Sequence, residues 1–159
     1  VYGILGNHDR YEMGLLLEAW GVRMLVNEEA VLDKDGQRLS LVGIDDCHYY
    51  KSDDLAAAVE GLDGEPFRIL LSHSPEIINK GLPCRIDLCV CGHTHGGQVC
   101  LPGGYPPVVC ASVPRRYAKG LWRHNGMVGY TSRGIGASGI PVRFCCRPEI
   151  TLLTLKCLR

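Results

Sequence analysis

Neither charge is in excess in this chain: 17 Lys and Arg balance 17 Asp and Glu, with six His, over 159 residues. A zero balance removes any long-range pull toward nucleic acid or acidic membranes and leaves only local basic patches as a route to such partners. No apolar stretch approaches the roughly 18 residues of a membrane span, and no signal-peptide pattern opens the sequence. No internal repeat and no linker divides it. Regular cysteine spacing is missing too. Nine cysteines are present, but a chain of this length buries a core without staples, so no disulfide framework is expected.

What is present has the composition of an ordinary globular domain, 46% hydrophobic and 21% charged, long enough to build one real core. Several cysteines lie in strand-like apolar runs, Cys89 and Cys91 within Ile86–Cys91 and the pair Cys145–Cys146. Free Cys acts there as a small buried hydrophobe, and a reducing cytosol is the expectation. Val1 to Leu5 reads as a buried strand at the very start. Because chains seldom begin inside a core strand, sequence is expected to be missing upstream, and with it any targeting or anchoring segment.

Strand-like and helix-like segments alternate over the first ninety residues. Glu12 to Trp20 has helical spacing at Leu15, Leu16, Ala19 and Trp20, with Gly21 as a stop. Arg23–Val26, Glu29–Leu32 and Gln37–Ile44 read as strands, the last entered through Asp35-Gly36. Ser52 can cap a helix carrying Leu55, Val59 and Leu62 on one side. Phe67–Leu71 is a continuous apolar run fit for a doubly buried strand, Ser74-Pro75 begins a short helix ended by Gly81, and Ile86–Cys91 is another buried strand. From Gly92 to Pro107 the chain is loop and turn. Lys119–Arg123, Met127–Thr131 and Glu149–Leu155 read as strands, with a turn at Asn125-Gly126. Alternation first and consecutive strands later imply an α/β sandwich with mixed sheets and a β-rich end.

Three segments hold most of the metal-capable groups: Gly6-Asn7-His8-Asp9, Ser72-His73-Ser74 and Gly92-His93-Thr94-His95-Gly96-Gly97. Each directly follows a predicted strand, where side chains from separate strands converge on a ligand. His and Asn offer neutral nitrogen and oxygen ligands suited to Zn, Mn, Fe or Ni. Two residues apart, His93 and His95 can face one ion or diverge to bind two. His8 beside Asn7 suits a general acid next to a metal. Asp9 can orient that imidazole or act as a helix N-cap in Asp9-Arg10-Tyr11-Glu12. A lone buried His such as His73 can also be a backbone-bonded core residue. His48 and His124 lie outside these loops and read as surface residues. Arg115, Arg116, Lys119 and Arg123 read as a solvated face, whereas Arg133, flanked by glycines in Ser132-Arg133-Gly134-Ile135-Gly136, is a candidate phosphate contact.

In order and placement these segments resemble the last three metal motifs of the calcineurin-like metallophosphoesterases, and Gly92 to Gln98 with Ser132 to Gly136 resemble the bacterial branch of small phosphohydrolases. The likeness covers essentially the whole chain, 1–159. It implies a calcineurin-like phosphoesterase sandwich, mixed β-sheets flanked by helices, and a two-metal phosphohydrolase acting on a phosphomonoester, phosphodiester or pyrophosphate. By match, Asn7, His73 and His93 would bind one ion and His95 the other. His8 would be the catalytic histidine, supported by Asp9. Two divalent ions (Mn, Fe, Zn or Ni) would activate a water for in-line attack. The implied substrate is a phosphorylated small molecule or a lipid-linked phosphoester, with no nucleic acid partner.

The family's first two motifs, an Asp-x-His and a Gly-Asp pair, precede Gly-Asn-His-Asp and have no counterpart here. Asp45-Asp46 and Asp53-Asp54 stand in the wrong order to replace them. The expectation is therefore the carboxyl-terminal part of a longer domain, its first strands missing, weak in metal binding and inactive or nearly so alone. Location, cytoplasmic or envelope-associated, would be decided by the upstream segment. A rival reading is a non-catalytic zinc-binding or interaction module using Cys89, Cys91, His93 and His95, although four ligands from one strand make poor tetrahedral geometry.

Overall fold

The structure, a computed structural model, describes residues 1–34, 36–61 and 66–156. Two short parallel strands, β1 (Tyr2–Gly3) and β2 (Arg23–Met24), flank helix α1 (Tyr11–Ala19). The main sheet has six strands: β3 (Glu28–Lys34), β4 (Gln37–Gly43), β5 (Phe67–Ser72), β6 (Leu88–Cys91), β7 (Gly120–His124) and β8 (Met127–Thr131). Their spatial order is β3-β4-β5-β6-β8-β7. The inner four run parallel, and an antiparallel hairpin partner closes each edge. This is the expected mixed α/β sheet.

The hairpin joining β7 to β8 turns at Asn125 (φ 47°) and Gly126 (φ 86°), the pair of left-handed residues that a two-residue connection demands. Across it, Trp122 pairs with Gly129 and lies flat on it, where a Cβ would come within 2.1 Å of the indole. The buried indole N–H is satisfied by Thr131 Oγ1 at 2.8 Å, as a buried Trp requires.

One face of the sheet carries the main core, with Val42, Ile44, Leu70, Cys89, Trp122 and Met127 packed under Ile77 and Tyr117. A smaller cluster, Leu25, Ala30 and Leu41, packs with Tyr2, Ile4, Ile69 and Leu71 on the other face. β5 is thus fully buried on one side and half-buried on the other, rather than doubly buried.

Several expectations shift. The helix after residue 10 forms, yet its Leu15, Leu16 and Ala19 are exposed and Trp20 is 80% exposed. Only Gly14 is buried, because the helix approaches Leu5 and Met24 through its side-chain-free face. The cap of the second helix, α2 (Leu55–Ala58), is Asp54, which accepts from Ala57 N at 2.9 Å, and not Ser52. Leu62, expected on that helix, and Asp35 of the first hairpin lie outside the described residues. Residues 149–155 form no strand, and Ile150 and Leu152 are exposed. The eight described cysteines are all free. Most are buried, but Cys145, expected in a core run, is exposed.

Candidate metal and phosphoester site

The carboxyl ends of β4, β5 and β6 point the same way, and the loops that follow them and β1 line one cavity of about 650 Å³ that contains Asn7, His8, Asp9, His48, His73, His93 and His95. Parallel strands place ligand-binding loops at this end.

The first loop is a tight turn. Asp9 N donates to Gly6 O at 3.0 Å, and Gly6 N donates to Asp9 Oδ2 at 2.8 Å. Asp9 thus fastens the turn to itself. Arg10 holds the N-cap position of α1 with no side-chain cap, so the capping role for Asp9 is not realised. Gly6 also carries the His73 ring: a Cβ there would lie 2.7 Å from His73 Cε1 and Nδ1.

His73 Nε2 lies 2.8 Å from Asn7 Oδ1 and 3.0 Å from His93 Nδ1. Three donor atoms from three separate loops therefore meet at one point. Burial, then the neighbouring His93, lowers the His73 pKa to about 4, which keeps its ring neutral at physiological pH. His93 Nε2 donates to the carbonyl of Cys110 at 2.7 Å. That bond puts the proton on Nε2 and leaves the Nδ1 lone pair facing His73, the way an outer partner orients a metal-ligating imidazole. Burial and the adjacent His48 hold His93 below its ordinary pKa.

The backbone of the third loop is left-handed at His93 (φ 67°), His95 (φ 51°), Gly96 (φ 63°) and Gln98 (φ 55°). Non-glycine residues there cost free energy that the surroundings must offset, and such strain gathers at functional sites. Thr94 helps, donating to Ala118 O at 2.6 Å and accepting from Gly96 N. Arg143 wraps the loop, reaching His95 O at 3.2 Å and His95 Nδ1 at 3.3 Å. Burial and this guanidinium lower the His95 pKa.

His48 is a correction. Read as a surface residue, it packs against His93 with ring centroids 4.1 Å apart and the rings tilted by 44°, and its Nδ1 meets Glu76 Oε2 at 2.5 Å. Its loop is built around the buried Asp46, whose carboxylate accepts from the backbone N–H of His48, Tyr49 and Tyr50. Burial pushes Asp46 up, but these three donors overcome it and hold the carboxyl below its usual value. The sequence signal was available, since Asp45 to His48 follows a predicted strand as the other three loops do. Arg143 had no such signal. His124, likewise read as surface, is half-buried, with Nδ1 3.1 Å from Tyr117 Oη.

Arg133, the sequence candidate for phosphate, lies outside the cavity lining and is paired with Glu149, Nε to Oε2 2.6 Å. Its aliphatic part covers Gly96, where a Cβ would fall 2.6 Å from Arg133 Cγ. The rival zinc set does not assemble. Cys89 and Cys91 point into the main core, with Cys91 Sγ on Thr131 Oγ1 at 3.2 Å. Contact with Cys91 and burial push the Cys89 thiol well up, while the same contact lowers Cys91.

Among the described residues no three His, Cys, Asp or Glu side chains form a metal-holding group. The third donor at the His73 cluster is an amide oxygen, Asn7 Oδ1. Two neutral imidazoles and an amide fit a borderline divalent ion by donor type, and they lack the carboxylate that would strengthen its hold.

Neither a family model nor a solved structure matches the chain. It is 33% identical to an uncharacterised metallophosphoesterase, YkuE, of Bacillus subtilis, over 96% of this chain and 55% of that protein. It is 32% identical to the phosphodiesterase YaeI of Escherichia coli, over 97% of this chain and 57% of that protein. A transmembrane protein with a metallophosphoesterase domain from Danio rerio is 33% identical, over 98% of this chain and 38% of that protein. No helix among the described residues is long and apolar enough to cross a membrane. The chain spans about half the length of the bacterial relatives. With metal-type donors gathered at the carboxyl ends of a parallel sheet, the chain is similar along nearly its whole length to metallophosphoesterases, in line with the calcineurin-like resemblance of its motifs.

Proposed function

We propose that this chain carries the histidine half of a two-metal phosphoesterase centre that hydrolyses a phosphomonoester, phosphodiester or pyrophosphate. The observation that carries the reading is that Asn7 Oδ1 and His93 Nδ1 both lie within 3.0 Å of His73 Nε2. In this reading those three residues hold one divalent ion and His95 contributes to a second. When bound, such ions neutralise the phosphoryl oxygens and activate a water for in-line attack.

The chain's own residues do the rest. The depressed pKa of His73 keeps its ring neutral, so that it can serve as a ligand, and Cys110 O fixes which nitrogen His93 presents. His8 stands on the wall of the same cavity, where it can hold a proton for the departing oxygen. Asp9 clamps the turn that carries His8 and Asn7. Positioning and charge neutralisation account for most of the rate in such chemistry. The substrate class is a phosphorylated small molecule or a lipid-linked phosphoester.

The donor set at the His73 cluster is neutral, and the acidic ligands of the full family pattern are expected from residues outside this chain, within a longer domain. The exposed apolar side chains of α1 and of residues 149–155 support that boundary, since they are surfaces another part of a domain could cover. The test is divalent-metal content together with hydrolysis of an aryl phosphodiester with Mn added, for this chain and for one extended upstream. The reading expects turnover in the extended chain, abolished by His8→Ala. Metal-independent turnover, or turnover indifferent to His8, would overturn it.

A further inference from the structure

The zero net charge conceals a segregation. Between Asp87 and Glu149 the sequence has no Asp or Glu at all, while it carries seven Lys and Arg. This stretch builds the outer wall of the cavity. Two of its loops, 98–108 and 135–144, are knitted together by Gln98, whose Nε2 donates to the carbonyls of Ser138 at 2.9 Å and Ile140 at 3.0 Å. Gln98 Oε1 accepts from Ser138 N at 2.7 Å, and Cys100 N donates to Phe144 O at 2.8 Å.

The joined loops turn apolar side chains outward. Val99, Leu101, Tyr105, Val108, Ile140 and Phe144 are each between 40% and 66% exposed, and Val99 and Val108 reach into the cavity mouth. A cation sits at their edge: Arg115 stacks 5.4 Å from the Tyr105 ring centre and is anchored on the carbonyls of Pro106 and Pro107. An apolar patch with a cation at its edge, built from a stretch of chain without acids, marks an interaction site. A nucleic acid would use the cations but would want aromatic stacking platforms, whereas this patch is mostly aliphatic. An anionic lipid surface uses both parts, apolar side chains entering the acyl boundary while Lys and Arg meet the headgroup phosphates.

We propose that the rim formed by loops 98–108 and 135–144 docks on the surface of an anionic lipid bilayer. Docked this way, the cavity that holds His8, His73 and His93 opens toward the headgroups. That corollary alone rests on the proposed function; the docking itself rests on the rim.

The test is flotation of the whole chain with vesicles of phosphatidylcholine containing roughly one third phosphatidylglycerol, compared with pure phosphatidylcholine vesicles and with duplex DNA. The expected result is binding to the anionic vesicles at least about tenfold tighter than to neutral ones, and weakened by added salt. Ile140→Ser with Phe144→Ser is expected to lower vesicle partitioning about tenfold or more, with the circular dichroism spectrum and melting temperature unchanged. Should that pair unfold, Val108→Ser provides the same reading from the other loop. No vesicle binding would overturn the proposal. So would DNA binding as tight as vesicle binding, or a partition indifferent to the apolar substitutions, or burial of the rim in a stable self-association that vesicles do not dissociate. Turnover is not read, so the docking and the phosphoesterase chemistry fail separately.

Discussion

Glu76 bridges two pieces of the site that share no sequence neighbourhood: its Oε2 lies 2.5 Å from His48 Nδ1, and its Oε1 accepts from Ser112 N at 2.5 Å. The first contact holds the ring packed against His93. The second holds the loop whose Cys110 carbonyl sets the His93 tautomer. Burial raises the Glu76 pKa, but the bonds from Ser112 and His48 outweigh it and keep the carboxyl below its ordinary value.

Glu76→Ala should therefore weaken divalent-metal binding by about 10–100-fold, the usual effect of losing a group that orients a ligand. Calorimetric titration with Mn or Zn checks this, and nitrogen NMR of the metal-free protein should find His93 losing its preference for the Nε2–H tautomer. An unchanged tautomer and affinity would remove Glu76 from the site.

Gly6→Ala places a methyl group 2.7 Å from the His73 ring, closer than real contacts allow. The ring must move off Asn7 and His93. The expected cost is about 1–3 kcal/mol of stability, as for other overpacked sites, together with loss of metal affinity. Urea unfolding measures the first and metal titration the second. Gly21→Ala is a poor control, since its φ of 85° strains the backbone. Gly136→Ala, open on all sides, should leave both unchanged.

His73 should stay neutral far into acid. Its folded pKa is about 4 against an ordinary 6.5, so between these values the unfolded chain binds more protons than the folded one. Stability from this group is therefore full above about pH 6.5 and is lost as pH falls toward 4. Proton NMR titration should place the His73 midpoint near the lower value, and His73→Gln should flatten the pH dependence of the urea midpoint across that window.

The sequence made most of this legible where one physical rule governed. Hydrophobic runs bounded by turn residues located β4, β5, β6 and β8, and the rule that ligand loops follow parallel strands located Asn7, His73, His93 and His95. Legibility ended where a residue's role depends on contacts distant in sequence. Nothing local distinguishes Arg143, which reaches His95 across 48 positions, or says that Arg133 would be neutralised by Glu149. Helix α1 misled because spacing reports which residues are apolar, while a single Gly14 decided which side approaches the core. His48 reads as a surface residue although its loop obeys the same strand-end rule, because its polar neighbours in sequence give no sign of the ring contact with His93.

The most direct test of the central claim is Mn titration of the chain, followed by electron paramagnetic resonance, with Asn7→Ala, His73→Ala, His93→Ala and the double substitution Cys89→Ala/Cys91→Ala. The account predicts that each of the first three lowers affinity about tenfold or more and that the cysteine pair leaves it unchanged. Binding that survives the loss of His73 and His93 but vanishes with the two cysteines would contradict it.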